Sequence, residues 1–401
     1  MADLSERRTS PEARPAFKCI ALLLQGGGAL GAYQAGVYQG LSEAKVYPDW
    51  VAGISIGAVN AAIIAGNSPE VRVAKLRSFW EQITSTSSWR LWNELTPHVA
   101  KGAGARDLFN QMSAMRTLMG GVSGFFSPRL PPPWFQSQGS LAATSYYNTK
   151  PLKTTLERLI DFDRINAKEI RLSAGAVNVT TGNFVYFDNT THKLKPEHIL
   201  ASGALPPGFP AVEIDGEHYW DGGLVSNTPL QWVLEYGPRQ DTLAFQVDLW
   251  SARGKFPKNI TDVATRQKEI LFSSRTRENT DQFKHTQRIR HAVAQMLAQL
   301  PRQAAEDQQV KSLRSFVDEK VYNIVHLIYR SKIYEHDSKD YEFSRLSMEE
   351  HWKAGYDDTV HTLRHPEIFR HLTNTDGVAT FDLNPGLSVG DTRERKRREA
   401  K

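Results

Sequence analysis

Twice in its first 66 residues the chain runs from an apolar segment through glycine into a stretch of small residues. The first passage is "LLLQGGGALGAYQAG", Leu22–Gly36, and the second is "VAGISIGAVNAAIIAG", Val51–Gly66. Each reads as strand, tight turn, helix. The pattern predicts a buried strand over Phe17–Leu24 and a helix from about Ala29 to Glu43. It then predicts a short strand beginning at Val51–Ala52, a turn over Gly53–Gly57 and a helix over Ala58–Ala65. Pro69 opens a further helix to about Ile83. Strands alternating with helices bring successive strands into register in the same direction, so the fold class is α/β with a mainly parallel sheet flanked by helices.

The remainder divides by texture. Residues 84–147 hold "GGVSGFFSPRLPPPWF" and no sustained period, which reads as a lid-like insertion or a substrate-facing wall. Within it, Trp89, Trp92, Phe125, Phe126, Trp134 and Phe135 are candidates for an acyl channel, a membrane contact or a local core. A helix starts near Thr149 with Pro151 in its first turn. "RLSAGAVNVT" and "NFVYFD" read as strands around Thr181-Gly182, and "TLAFQVDLW" as a buried strand ending near Trp250.

Beyond residue 250 the chain reads as a mostly helical extension over 251–388. One expected helical face carries Ile289, Val293, Met296, Leu297 and Leu300. "VYNIVHLIY" reads as a late strand. Ser347 and Glu350 form an expected capping box ahead of a stripe of Met348, Trp352, Tyr356, Val360 and Leu363.

Charge excludes some partners. The net charge is +5, but much of the surplus lies in "RERKRREAK", Arg393–Lys401, so the body is nearly neutral and no large nucleic-acid footprint is expected. Residues 1–15 read as a disordered segment without the apolar core of a secretory signal, and 389–401 as a basic tail able to attract anionic lipid. The single cysteine, Cys19, rules out an intramolecular disulfide and reads as a small buried side chain. The longest apolar stretch, Val51–Gly66, is too short and too interrupted to span a bilayer. The expected location is the cytoplasm, with peripheral membrane contact as an option.

Three stretches carry chemistry. Gly26, Gly28 and Gly31 satisfy G-x-G-x-x-G between strand and helix, the setting of a dinucleotide site, with Asp49 at a tempting distance beyond. The same bare amides at a helix N-terminus suit the oxyanion formed when a nucleophile attacks an ester carbonyl. "GISIG", with Gly53 and Gly57 around Ser55, matches the G-x-S-x-G nucleophile turn, although the same place suits a serine N-cap. His361 and His365 lie one helical turn apart without a metal-site pattern and read as surface residues. "YWDGGLVSNTPL" places Asp221 at a strand end before Gly222 and Gly223. Asp-Gly is ordinary turn chemistry, but the proline-rich "ILASGALPPGFPAV" just before it is not regular structure.

Taken in order, "QGGGALG" at 25–31, "GISIG" at 53–57, "ASGALPPGFP" at 201–210 and "DGG" at 221–223 resemble the patatin-like phospholipase family over roughly residues 17–250. The resemblance implies a three-layer α/β/α acyl-hydrolase domain over 16–250. It implies Ser55 as nucleophile, Asp221 as proton acceptor and Gly26, Gly27 and Gly28 as the oxyanion loop, with no catalytic histidine, metal or cofactor. The implied substrate is a lipid or another acyl ester. The family often has a basic residue in the glycine motif where this chain has Leu30, so backbone amides would carry more of the oxyanion stabilisation. Two rival readings stand beside it: a nucleotide-dependent oxidoreductase built on Gly26–Gly31, and a lipid-binding module without turnover.

Overall fold

A computed structural model describes residues 15–85, 103–301, 307–332, 334–371 and 377–383. The N-terminal segment to residue 14, Trp89, Trp92 and the basic tail lie outside the described residues. The two opening passages fold as their patterns dictate. Cys19–Leu24 forms β1, and a 3-10 turn over Gly28–Gly31 leads into α1, Ala32–Glu43. Trp50–Ile54 forms β2, followed directly by α2, Ile56–Ala65, and then by α3, Arg72–Ile83. Both strands are buried along their whole length, as expected of strands covered on two faces. Every residue of α2 is buried, so its apolar run serves a core helix rather than a membrane span.

The insertion contains a helix, α4, Ala103–Gly120, and a small antiparallel pair, β3 (Ser127–Pro128) and β4 (Tyr147–Asn148). Two short helices follow, α5 (Lys150–Leu159) and α6 (Phe162–Asn166). The antiparallel hairpin of β5 (Arg171–Asn178) and β6 (Phe184–Asp188) comes next. After α7 (Pro196–Ser202), β7 (Val212–Ile214) and β8 (Glu217–Asp221) close the sheet on one side. Then come α8, Leu230–Glu235, and β9, Thr242–Asp248.

The C-terminal region is mainly helical, with α9 (Ile260–Ala298), α10 (Gln308–Phe316) and α11 (Arg345–Thr362). It also contributes β10 (Tyr322–Ile328) and β11 (Val378–Asp382). Among the described residues the main sheet has nine strands in the order β11-β10-β9-β1-β2-β5-β8-β7, with β6 also on β5. The run from β11 to β5 is parallel, and β6, β7 and β8 are antiparallel additions. Residues after 250 therefore continue the sheet of the first part.

Alternating side chains of β1 sort to opposite faces. Ile20, Leu22 and Leu24 join the larger core under α1, α2 and α3, while Cys19, Ala21 and Leu23 face the smaller core of α8 and Phe283 on α9. Helices thus cover both faces, giving three layers. Two expectations in the C-terminal region need correction. The apolar face expected over 289–300 is largely exposed, with Ile289 and Met296 on α9, and Leu300 just beyond its end, turned outward. The buried stripe is Thr280, Phe283, Gln287, Arg290 and Ala294, in which Gln287 donates to the Asp318 carbonyl at 3.1 Å. Polar residues that find partners on burial carry no hydropathy signal. The N-cap of α11 is Ser344, whose hydroxyl accepts from the Ser347 amide at 3.2 Å, and Ser347 itself is buried one turn in.

Candidate active site

Ser55 occupies the sharp turn between β2 and α2 with φ 56° and ψ −125°. This left-handed conformation costs a β-carbon residue on the order of 1–3 kcal/mol, so the surroundings must hold it. The two flanking glycines allow strand and helix to cross this closely. A β-carbon at Gly53 would stand 2.3 Å from the Gly57 backbone, and one at Gly57 would stand 2.2 Å from the Leu24 carbonyl oxygen. The Ser55 amide donates to the Ser202 hydroxyl at 3.0 Å, and that hydroxyl donates to the Gly175 carbonyl at 2.6 Å. Ser55 stands at the N-cap position, yet its side chain makes no capping bond. The side chain instead lies beside the Asp221 carboxylate, whose ionised form it favours.

Sheet register explains how residues 166 positions apart meet. Ile54 lies opposite Gly175 on β5, and the next β5 residue, Ala176, lies opposite Asp221 at the end of β8. Because β8 runs antiparallel, its last residue is brought level with the last residue of β2. Asp221 is 2 % exposed. Burial raises its carboxyl pKa to about 7, against the lowering effect of the Ser55 side chain and of the hydrogen bond from the Gly223 amide. The Gly223 bond is 2.7 Å long and forms the turn after β8. Gly222 packs on the Gly175 carbonyl, where a β-carbon would approach to 2.7 Å. A carboxylate with this pKa is half ionised near neutrality, which suits a general base far better than its ordinary value of about 3.9.

The glycine loop borders the same place. A β-carbon on Gly26 would lie 3.1 Å from that of Ser55. Gly28 has φ +55°, and its α-carbon is covered by the Asp340 carbonyl, which a β-carbon would meet at 2.0 Å. That carbonyl accepts from the Ala29 amide at 2.8 Å. The Gly26 amide is directed to the Asn227 carbonyl at a long 3.4 Å. The Gly27 and Gly28 amides have no acceptor among the described residues. Gly31 serves packing, facing Ile56 and Trp80, and Leu30 is fully buried.

Three side chains hold this loop and a fourth holds the nucleophile turn, and sequence reading did not assign these roles. The Gln25 side-chain carbonyl accepts from the Leu249 and Trp250 amides at 2.6 and 3.0 Å, while its amide donates to Thr228 and to the Phe272 carbonyl, both at 3.1 Å. The Gly26 carbonyl accepts from Asn227 and from the Trp250 indole, at 3.0 and 2.9 Å. Ser202 fixes the nucleophile turn as described above. The available hint was their position inside or beside the quoted motifs.

Ser55, Asp221 and Gly26–Gly28 share the wall of a mainly apolar cavity of about 300 Å³. Phe125, Phe126, Phe209 and Phe343 supply aromatic walls, with Thr117 and Leu118 from α4 and Leu205–Gly208 from the proline-rich bend. Phe125 and Phe126 thus both fill core and line the cavity, whereas Trp134 and Phe135 are outside it and exposed. A second, more polar cleft of about 410 Å³ shares Thr117, Phe126 and Phe343 but reaches neither Ser55 nor Asp221.

A family model described as "Patatin-like phospholipase" matches residues 22–234, a span that includes the serine turn, the glycine loop and Asp221. The chain belongs to the patatin-like phospholipase family. A second family model, described as "Patatin phospholipase", matches residues 270–375. The chain is 44% identical over 71 residues to Triacylglycerol lipase SDP1L of Arabidopsis thaliana, an alignment covering 18% of this chain and 8% of that protein. Among solved structures, VipD from Legionella pneumophila aligns over 92% of this chain and 72% of its own, at 16% identity and a TM-score of 0.39. ExoU of Pseudomonas aeruginosa, solved with SpcU, aligns over 76% and 60%, at 17% identity and a TM-score of 0.24.

The remaining sequence candidates have other work in this patatin-like fold. Asp49 accepts from the Ile20 amide at 2.8 Å, tying the segment before β2 to β1. That engagement, and the Asp340 carbonyl seated on the glycine loop, leave a dinucleotide poorly served. The His361 and His365 rings lie 5.4 Å apart, and His365 meets Glu367 at 3.0 Å. Among the described residues, no cluster of His, Cys, Asp and Glu is arranged to hold a metal ion.

Proposed function

We propose that this chain is a serine acyl-ester hydrolase of the phospholipase A or lipase type. The observation that carries the reading is the meeting of Ser55 with a buried Asp221 at the wall of one mainly apolar cavity. Asp221 accepts the Ser55 proton as the hydroxyl attacks the ester carbonyl. The Gly27 and Gly28 amides, with the N-terminus of α2, stabilise the tetrahedral oxyanion. The proton passes to the departing alcohol, and an acyl-enzyme remains. Water, deprotonated by the same carboxylate, then releases the fatty acid.

The 44% identity to a stretch of a protein named triacylglycerol lipase supports a lipid ester as the substrate. Because the chain spans only 8% of that relative, the likeness bears on the local chemistry and not on the relative's whole activity. No helix among the described residues is long and apolar enough to cross a membrane. A panel of phospholipids, triacylglycerols and short acyl esters tests the reading, with fatty-acid release as the readout. Release by the wild type and none by Ser55→Ala is expected. Equal release by both would remove Ser55 from the reaction, and binding without release by either would favour the non-catalytic module.

A further inference from the structure

Helix α4, over Ala103–Gly120, is amphipathic in the wrong sense for a surface helix. Its inward face buries Arg106, Asn110 and Thr117 around Ala114, each 6 % exposed or less. Arg106 reaches Ser347 and Glu350 on α11, and Asn110 reaches the Tyr334 carbonyl. Its outward face presents Leu108, Met112, Met115 and Met119, at spacings of four, three and four residues, with exposures from 54 to 75 %. An apolar stripe turned to solvent along a three-to-four-residue period is a face that no described residue covers.

The stripe does not stand alone. Leu118, 45 % exposed, belongs to the helix and also to the wall of the acyl cavity, so the helix end lies at the cavity mouth. The Tyr147 hydroxyl donates to the Leu118 carbonyl at 2.7 Å, and the Tyr146 and Tyr147 amides donate to Pro207 and Gly208 across that mouth. Tyr146 in turn meets the ring of Trp134, and Trp134 and Phe135 are 70 and 73 % exposed. The apolar face therefore continues from the helix across the entrance to the insertion. Charge narrows the occupant. Residues 108–148 contain no Asp, Glu or Lys, and their only charged side chains are Arg116 and Arg129. A soluble protein partner would ordinarily meet a polar rim of both signs. A face with apolar anchors, flanked by Arg116 and Arg129 and with Asp107 at its start paired to His336, suits the surface of a lipid aggregate.

We infer that the outward face of α4, together with Trp134 and Phe135, docks the protein on a lipid surface with the cavity mouth against it. The choice of partner rests on the lipid-hydrolase reading above, and the test separates the two. Flotation of full-length Ser55→Ala with vesicles of phosphatidylcholine and phosphatidylglycerol reads docking without hydrolysis. A combined Met115→Ser, Met119→Ser, Trp134→Ser and Phe135→Ser substitution in that background should lower the vesicle-bound fraction at least tenfold. In the Ser55 enzyme the same four substitutions should leave hydrolysis of a soluble short-chain ester within twofold, while release from vesicle lipid falls with binding. No flotation of the parent, or equal flotation of the two, overturns the inference even if the enzyme is active. A parent that runs as a dimer, split by the four substitutions, would assign the face to a second copy and also overturn it. If no ester is hydrolysed but flotation behaves as expected, the docking face stands and the hydrolase reading fails.

Discussion

At the scale of single residues, the position of Asp221 ties rate and stability to pH in opposite directions. Its folded pKa of about 7 lies above the unfolded value near 3.8. The unfolded chain therefore releases this proton first as pH rises. The carboxyl's contribution to stability is full below pH 3.8, declines from there to about 7, and stays lost above it. Three pKa units correspond to about 4 kcal/mol. A general base works in the opposite sense, since it must be ionised. On a soluble ester, kcat/KM should rise with an apparent pKa near 7, and a flat profile between pH 5 and 8 would remove Asp221 as the base. Asp221→Asn should lose at least a thousandfold in kcat. Because asparagine never ionises, its melting temperature relative to wild type should climb between pH 4 and 8. Ser202→Ala tests the nucleophile turn: without the hydroxyl between the Ser55 amide and the Gly175 carbonyl, kcat should fall ten- to a hundredfold with KM little changed. An unchanged kcat would show that the turn needs no such support.

At the scale of elements, the glycine loop depends on α9, far along the chain. Lys268 donates to the Asp337 carbonyl and the Asp340 carboxylate, and its neighbour Glu269 accepts from Lys339 at 2.7 Å. These bonds hold the segment whose Asp340 carbonyl sits on the Ala29 amide. Lys268→Met should cost about 1.5–3 kcal/mol of stability, read by denaturant melts, and should lower kcat while the fold persists. A kcat equal to wild type at matched folded fraction would show that the loop holds itself. Such dependence was not legible in the sequence. Strands and helices of the first 83 residues were, because continuous apolar runs and glycine turns fix them locally. The quoted motifs likewise located Ser55, Asp221 and the loop. Helix α4 was missed because its buried positions are Arg, Asn and Thr, and the buried stripe of α9 because Gln287 and Arg290 share it with Phe283. Arg106, Asn110 and Gln287 are buried where tertiary partners meet them, and Arg290 where its guanidinium lies over the Phe316 ring, which periodicity cannot see.

At the scale of the whole molecule, the interval between the two family matches is not a seam in the fold. β9 pairs along all seven of its residues with β10, and β10 with β11, so the sheet crosses from residues before 250 to residues after it. α11 covers α1, with the Trp352 indole donating to Gln39 and the Tyr33 hydroxyl to Asp358. The carbonyls of Phe272 and Asp340 then complete the surroundings of Gln25, Asn227 and Ala29. A chain ended at Trp250 would keep Ser55, Asp221 and every glycine of the motifs. It would also expose the full edge of β9 and the face of α1 that buries Tyr33. An open edge of buried, apolar strand recruits other chains. Residues 1–250 alone should therefore collect in the insoluble fraction or, if refolded, show no sharp near-ultraviolet circular dichroism and no ester hydrolysis. A monomeric 1–250 with a cooperative melt and wild-type turnover would mean instead that the C-terminal strands and α9 decorate a self-sufficient site.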